Sequence, residues 1–291
     1  MRSGNPRFPQ RLRIITDSTA QIAEPWARDH QVLVMAQRIR FGDKVYREGV
    51  DLDDAAFARL VQGRPASEWP VIEAPSVDDY NEIYQQTLLE TSDIIVMAPS
   101  EKLTHSARNA RAAAEIFRGR ASIVVFDSQT IALGLNVLVR QVSALSQDGY
   151  SSDDIIKLAR GIVPRLYSAF VTQDLAHMAR SGCLRPAQAA LGKLLGIIPF
   201  LSIEEGEIAA IEKVRSFDRA LEKLAEFAAE FESPQELAVL QLAPEANAQT
   251  NMLIDLLRGI FPDIGHIPVR PCGATIGSII GPTGIGTMIY D

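Results

Sequence analysis

The fold is indicated most clearly by the stretch Ile94-Ile95-Val96-Met97-Ala98-Pro99-Ser100, a continuous apolar run that ends in a turn. Apolar residues at helical spacing follow it over about residues 103–117. The same order recurs directly afterwards, where an apolar run at 123–126 leads through Asp127-Ser128 to a helix near 133–146. Short apolar strands that alternate with helices predict parallel βαβ units.

The chain before this stretch extends the pattern. An apolar strand at 12–15 runs into Asp17-Ser18-Thr19, and strands at 32–35, 39–41 and 45–46 follow, the last two as a hairpin through Gly42-Asp43. Helical spacing covers 51–62 and 77–89, with a proline-flanked loop at 70–76 between them. Ligands of parallel sheets bind at the loops that leave the carboxyl ends of the strands. Those loops, 17–19, 98–106 and 127–130, are rich in hydroxyl and carboxylate groups.

The second half predicts a mixed sheet. A polar break at 147–154 suggests a boundary between an N-terminal α/β domain, 1–150, and a C-terminal α/β domain, 151–291. After it we expect a helix to about 166, a strand at 167–171, short helices at 175–179 and 186–195, and a hairpin of 197–203 with 208–211. A helix at 216–231, a strand at 237–242, a helix at 247–260, a strand at 266–269 and a glycine-punctuated tail ending at 287–290 complete the chain.

Composition narrows the class of protein. The 291 residues suggest about two domains, and 47% hydrophobic with 22% charged residues excludes a disordered chain. Lys plus Arg number 29 against 36 for Asp plus Glu, and a net charge of −7 argues against a nucleic-acid partner. We predict a cytoplasmic protein, because the two cysteines are distant from each other and form no CxxC motif, and because the segment at 1–13 is polar. We predict no membrane span, because the chain has no apolar run of about 20 residues.

Few residues point to chemistry. The four histidines lack the i, i+4 spacing of a metal pair, so no metal site is predicted. His105 stands between Thr104 and Ser106 at the start of a predicted helix, where free N–H groups attract anions. The alternative is that Thr104 is simply the helix N-cap. The sequence therefore predicts a hydroxyl-rich cleft that can hold an anion, without a catalytic residue.

The tail contains Gly273, Gly277 and Gly281 at intervals of four. Glycines can let the backbone approach a ligand closely, or they can serve tight turns and close packing of elements. The tail is neither a GxGxxG motif nor a P-loop, so no nucleotide and no other cofactor is predicted.

Eight short motifs occur in order along the chain: Asp17-Ser18-Thr19, Tyr46-Arg47-Glu48-Gly49-Val50-Asp51, Pro75-Ser76, Leu103-Thr104-His105-Ser106, Asp127-Ser128 with Leu133-Gly134, 175–184, Gly206-Glu207-Ile208 with Lys213-Val214-Arg215, and Gly277 through Gly281-Pro282. In this order they resemble the DegV family of bacterial fatty-acid-binding proteins, over about residues 12–290. The resemblance implies two α/β domains with a long apolar tunnel between them that encloses an acyl chain. It implies a binding protein rather than an enzyme, with a fatty acid or similar acyl lipid as ligand and a separate ATP-dependent fatty acid kinase as partner.

The resemblance also implies which residues hold the ligand's head group: Thr104, His105, Ser106, Arg215 and Ser278. Several positions depart from the family pattern: Ile72 stands for a threonine, Cys183 for an arginine, Ile279 for a histidine and Thr283 for a glycine. Glu73 would repel a carboxylate if it pointed inward. Either His105 supplies the missing imidazole, or the head group is neutral, or the chain no longer serves a kinase.

Two other functions stay open at this point. One is a hydrolase or phosphotransferase that uses His105 as a base in the cleft between the domains. The other is a regulatory or interaction protein whose tunnel is filled by its own side chains.

Overall fold

The computed structural model describes residues 12–243 and 245–291. The polar segment at 1–13, on which the prediction of a cytoplasmic protein partly rests, lies mostly outside the described residues, because residues 1–11 are not among them. The strands within them are β1 (Arg13–Asp17), β2 (Val32–Met35), β3 (Arg38–Phe41), β4 (Lys44–Arg47), β5 (Val71–Glu73), β6 (Asp93–Ala98), β7 (Ser122–Asp127), β8 (Leu166–Val171), β9 (Ile198–Glu204), β10 (Glu207–Val214), β11 (Glu236–Gln241), β12 (Val269–Pro271) and β13 (Ile285–Tyr290).

The α-helices of the described residues alternate with these strands. They are α1 (Glu24–Asp29), α2 (Asp54–Val61), α3 (Val77–Thr87), α4 (Ser106–Ala114), α5 (Leu133–Gln147), α6 (Ser152–Ile162), α7 (Leu175–Arg180), α8 (Pro186–Leu194), α9 (Phe217–Ala228), α10 (Ala248–Ile260) and α11 (Gly273–Ile280). Short 3-10 helices follow β1, α2, α4 and α6, at Ser18–Ala20, Ala66–Glu68, Glu115–Phe117 and Val163–Arg165.

The first half forms the predicted parallel sheet, in the order β2-β1-β6-β7. Strand β6 is buried on both faces, which is why its sequence is continuously apolar. Ile95 and Met97 pack towards α5 and α6, whereas Ile94 and Val96 pack towards α3 and α4. Because successive side chains of a strand point to opposite faces, helices cover both faces of this sheet.

Helix α6 belongs to the packing of the first half. Its residues Ile155, Ile156 and Ala159 lie in one apolar cluster with Ile14 of β1 and Leu138 of α5. The domain boundary expected near residue 150 stays a prediction. Helix α6 follows that position in the sequence but packs with the first half.

The second half forms the predicted mixed sheet, in the order β10-β9-β8-β13-β11-β12. The last strand of the chain, β13, lies in its interior and is antiparallel to both neighbours, β8 and β11. Helices α9 and α10 cover one face of the sheet. The other face, with Phe170, Leu201 and Met288, points towards the first half.

A small antiparallel sheet, β4-β3-β5, includes the predicted hairpin. The expectation of a loop at 70–76 is wrong in part, because β5 forms there by pairing with β3. Helix α1 was also not predicted.

The glycine-punctuated tail is closely packed, as one of the two interpretations of its glycines expected, but most of it is a helix rather than turns. It contains α11, whose residues are all buried. A Cβ on Gly277 would lie 2.5 Å from Cδ1 of Leu242, so close packing is what requires glycine there. The strand expected at 266–269 lies at Val269–Pro271 instead.

An apolar layer joins the two halves, and we call it the interface cluster. Its buried members come from both sides: Ile39, Leu52, Phe57, Val61, Trp69, Ile131, Ala132 and Val137 from the first half, and Phe170, Leu175, Met178, Ala189, Leu201, Leu240, Leu242, Cys272, Ala274, Ile276, Ile279, Ile280, Met288 and Tyr290 from the second. Arg180 also donates hydrogen bonds to the carbonyls of Trp69 and Pro70, at 2.8 and 2.7 Å. In the part of the chain described here, none of the helices has both the length and the apolar character that crossing a membrane requires.

Candidate functional site

A cavity of about 270 Å³ lies where β5, the start of α4 and α11 meet. Its walls carry both apolar and polar side chains: Gln37, Ile72, Glu73, Ala74, Leu103, Thr104, His105, Asn109 and Thr275. Two of the residues predicted from the sequence, Thr104 and His105, are therefore on the cavity wall.

Thr104 is not the N-cap of α4, which the alternative interpretation of this loop had predicted. The N-cap residue is His105, whose side chain makes no capping hydrogen bond, and the hydroxyl of Thr104 accepts from the Ser106 N–H at 3.2 Å. Nδ1 of His105 lies 2.7 Å from a guanidinium nitrogen of Arg108. Because a guanidinium only donates, Nδ1 is the acceptor in this contact.

Ser106 lies behind the cavity wall. It is completely buried and its hydroxyl donates to the carboxyl group of Asp17. Asp17 also accepts from the Thr19 N–H at 3.0 Å and from Nε2 of Gln37 at 3.2 Å. Burial raises the pKa of Asp17 above its usual value, although these hydrogen bonds oppose the shift.

A second buried carboxyl, Glu48, connects the first half to α11. It accepts from the hydroxyl of Ser18 at 2.5 Å and from the Ala274 N–H at 2.9 Å. Burial raises the pKa of Glu48 to about 7, and the negative charges of Asp54 and Asp17 act in the same direction. The sequence reasoning placed Glu48 in a family motif but not among the site residues.

Helix α11 presents two hydroxyls that lack partners. Thr275 lies on the cavity wall and Ser278 follows one turn later, and they are 8% and 7% exposed. Neither hydroxyl oxygen has a hydrogen-bond partner within the described residues. A buried polar group without a partner costs about 1–3 kcal/mol, so such groups call for an explanation.

Arg215 lies elsewhere. It is exposed in the connection between β10 and α9 and is not part of the cavity wall. Its role as a ligand-binding residue stays a prediction, as do the roles of the other four predicted residues.

The sequence reasoning missed three polar wall residues: Gln37, Asn109 and Thr275. Thr275 stands in the glycine-rich tail, and those glycines were a signal because they can let the backbone approach a ligand closely. Gln37 and Asn109 stand alone between apolar and basic neighbours, and no local pattern marks them.

Among the described residues, no group of three or more His, Cys, Asp or Glu side chains is arranged to hold a metal ion.

A family model described as "Uncharacterised protein, DegV family" matches residues 11–291. The chain belongs to the DegV family. It is 27% identical over 282 residues to a DegV domain-containing protein of Halalkalibacterium halodurans, covering 96% of this chain and 98% of that protein.

Solved structures of the DegV family confirm the two-part α/β fold. A fatty acid binding DegV family protein from Streptococcus agalactiae superposes with a TM-score of 0.84 at 23% identity, covering 97% of this chain and 99% of that one. DegV from Bacillus subtilis, described as a fatty acid binding protein, gives 0.80 at 25% identity, with 97% and 100% covered.

The departures from the DegV pattern have identifiable positions. Ile72 lies on the cavity wall, and Ile279 is buried in the interface cluster. Cys183 is half-buried against that cluster. Thr283 donates to Asp174 through its N–H and its hydroxyl, at 2.7 and 2.6 Å, so its side chain has a structural partner.

Proposed function

We propose that this protein binds a long-chain acyl lipid, a fatty acid or a close analogue, with the polar end in the cavity and the chain in the interface cluster. One observation carries the proposal: Ile72 and Leu103 line the cavity and also pack against the interface cluster. The polar pocket and the apolar layer between the two halves thus share a wall.

The apolar layer supplies most of the binding free energy. Each buried CH₂ group contributes about 0.8 kcal/mol, whereas a single head-group hydrogen bond contributes about 0.5–1.5 kcal/mol. A chain of about 16 carbons therefore binds mainly through its length, and the polar end sets its orientation.

The acyl chain has to extend beyond the cavity. About 270 Å³ is slightly less than the roughly 300–1,000 Å³ of typical ligand pockets. The rest of the chain enters the interface cluster by displacing side chains there. Met178 is suited to this role, because methionine is unbranched and adapts to irregular spaces.

Binding without catalysis is the second part of the proposal. A general base needs a free basic nitrogen, and Nδ1 of His105 already accepts from Arg108. Ser106 is bound to Asp17 inside the protein. These contacts favour a carrier over a hydrolase or phosphotransferase. A kinase that acts on the carried lipid is a further part of the proposal, and it rests on the family resemblance.

The test is mass spectrometry of an organic extract of the purified protein, repeated after incubation with palmitate or oleate. We expect about one acyl lipid per chain. The matched variants are Ala74→Trp, which fills the cavity, and Ala229→Trp, which adds the same bulk at an exposed position after α9.

Ala74→Trp should lose most of the lipid and Ala229→Trp should keep it. An extract without acyl species above the blank would refute lipid binding. A folded Ala74→Trp protein that carries lipid at the wild-type level would refute the cavity as the site.

A further inference from the structure

Glu48 connects two parts of the cavity wall, although it is not a wall residue itself. On one side its carboxyl group accepts from the N–H of Ala274 at 2.9 Å, and the next residue, Thr275, is on the wall. On the other side it accepts from the hydroxyl of Ser18 at 2.5 Å, and that hydroxyl accepts from the N–H of the wall residue Gln37 at 2.9 Å. The charge of Glu48 therefore acts directly behind both parts of the wall.

The titratable groups around Glu48 do not compensate its charge. Asp17 at the end of β1 and Asp54 at the start of α2 both disfavour the ionised form of Glu48. Cys272, directly before α11, is buried, and burial raises the pKa of its thiol, so it stays uncharged. Arg47, the residue before Glu48, is exposed and pairs with a surface carboxylate at 2.9 Å. The hydrogen-bond partners of Glu48 within the described residues, a hydroxyl and a backbone N–H, carry no charge.

Glu48 changes its charge near neutral pH. Burial, together with the two neighbouring acids, raises its pKa to about 7. The wall itself has two titratable side chains, Glu73 and His105. Arg40 lowers the pKa of Glu73, so that side chain stays ionised across the neutral range. Glu48 is thus a buried acid beside the cavity whose charge a ligand can change.

A fatty acid carboxylate in the cavity adds a negative charge close to Glu48. A like charge disfavours ionisation, and the effect is strong where little water screens it. The bound ligand should therefore raise the pKa of Glu48 further, and the protein should take up part of a proton as the ligand binds. Coupling of this kind is reciprocal, so loss of the proton from Glu48 should weaken binding.

We propose that Glu48 is a positioning residue of the lipid site, and that it takes up a proton when a fatty acid carboxylate enters the cavity. This inference rests on the proposed lipid-binding function and adds its control by pH. The sign follows from the linkage: affinity is highest where Glu48 is protonated in the free protein and falls as the pH rises through the neutral range. The ligand's own carboxyl group is ionised throughout, because a free carboxyl has a pKa of about 4.

The experiment is isothermal titration calorimetry of the wild-type protein with laurate and with dodecanol, which has the same chain length without the charge. Each titration at about pH 7.5 is repeated in phosphate and in Tris, whose different ionisation enthalpies reveal the protons taken up. We expect about 0.2–0.5 proton per laurate, the uptake for a pKa raised by about half a unit to one unit, and none per dodecanol. Laurate should bind about three- to tenfold more weakly at about pH 9 than at about pH 6.

A pair of variants assigns the proton. Glu48→Gln keeps the shape of the side chain but cannot ionise, so it should bind laurate without the proton uptake. At about pH 9 it should bind laurate about three- to tenfold more tightly than the wild type does. Glu230→Gln removes a carboxylate at an exposed position after α9 and should keep both the uptake and the pH profile of the wild type.

Three outcomes would overturn the inference and leave lipid binding intact. Laurate could bind the wild type without proton uptake. The uptake could be the same for dodecanol, which would make it independent of the ligand's charge. It could also persist in a folded Glu48→Gln protein, which would assign the proton to another group such as Asp17 or His105. Binding of neither ligand at any pH would refute the proposed function itself.

Discussion

Glu48 should make the protein less stable as the pH rises. The carboxyl group is buried between Ser18 and the N–H of Ala274, and burial raises its pKa from 4.5 to about 7. The folded state therefore holds the proton more tightly than the unfolded chain, so the stability that Glu48 contributes at acid pH is lost between these two values. At about 1.4 kcal/mol per pH unit, ionising Glu48 in the folded protein costs about 3 kcal/mol.

The perturbation is Glu48→Gln, which keeps the shape and an acceptor for the Ala274 N–H but cannot ionise. At about pH 8 the variant should be more stable than wild type by about 1–3 kcal/mol, because it avoids the buried charge but loses charge-assisted hydrogen bonds. At about pH 5, where Glu48 is protonated in the folded state, the two proteins should have nearly equal stability.

The assay is thermal unfolding at both pH values, where each kcal/mol shifts Tm by about 2–4 °C for a domain of this size. The control is Glu73→Gln: Arg40 lowers the pKa of Glu73, so removing that charge should give no gain at alkaline pH. A Glu48→Gln protein that is less stable than wild type at about pH 8, or equally stabilised at both pH values, would show that burial of the charge does not dominate.

Three further results are expected. Thr275→Val should leave Tm unchanged or raise it, because the hydroxyl has no partner among the described residues. The same variant should weaken lipid binding by about 0.5–1.5 kcal/mol in a titration. The control is Thr287→Val, which removes another unpartnered buried hydroxyl outside the cavity and should leave binding unchanged. Thr104→Val should also weaken binding by about 0.5–1.5 kcal/mol. It should lower Tm as well, because it removes the acceptor for the Ser106 N–H at the start of α4. Unchanged binding with a lower Tm would assign Thr104 a structural role only. The protein should be a poor carrier for a bacterial fatty acid kinase, with Ile72→Thr plus Ile279→His partly restoring acyl phosphate formation from labelled ATP; robust turnover by the unmodified protein would contradict this.

Part of the site was accessible to sequence reasoning and part was not. Thr104 and His105 were predicted and lie on the cavity wall, because their position at a helix start after a strand is a local property. The wall residue Thr275 was not predicted, because the glycines around it were compatible with turns and close packing as well as with a ligand site. Arg215, proposed from the resemblance, lies outside the cavity wall.

The sequence by itself determined the elements whose burial follows from their own residues. Strand β6 is apolar throughout because both of its faces are covered, and the turn residues after it mark its end. The alternation of such strands with helices was sufficient to predict the parallel sheet of the first half, and the hairpins predicted the mixed sheet of the second.

The tertiary structure decided what depends on distant partners. Three-residue β5 forms because β3 pairs with it, and glycine-rich α11 forms despite low helix propensity because it packs inside the protein, where Gly277 admits Leu242. Glu48 meets the N–H of Ala274 across 226 residues of chain. Periodicity shows which face of an element is buried but not what lies against it, so the chemistry of the cavity follows only from the packing of the two halves.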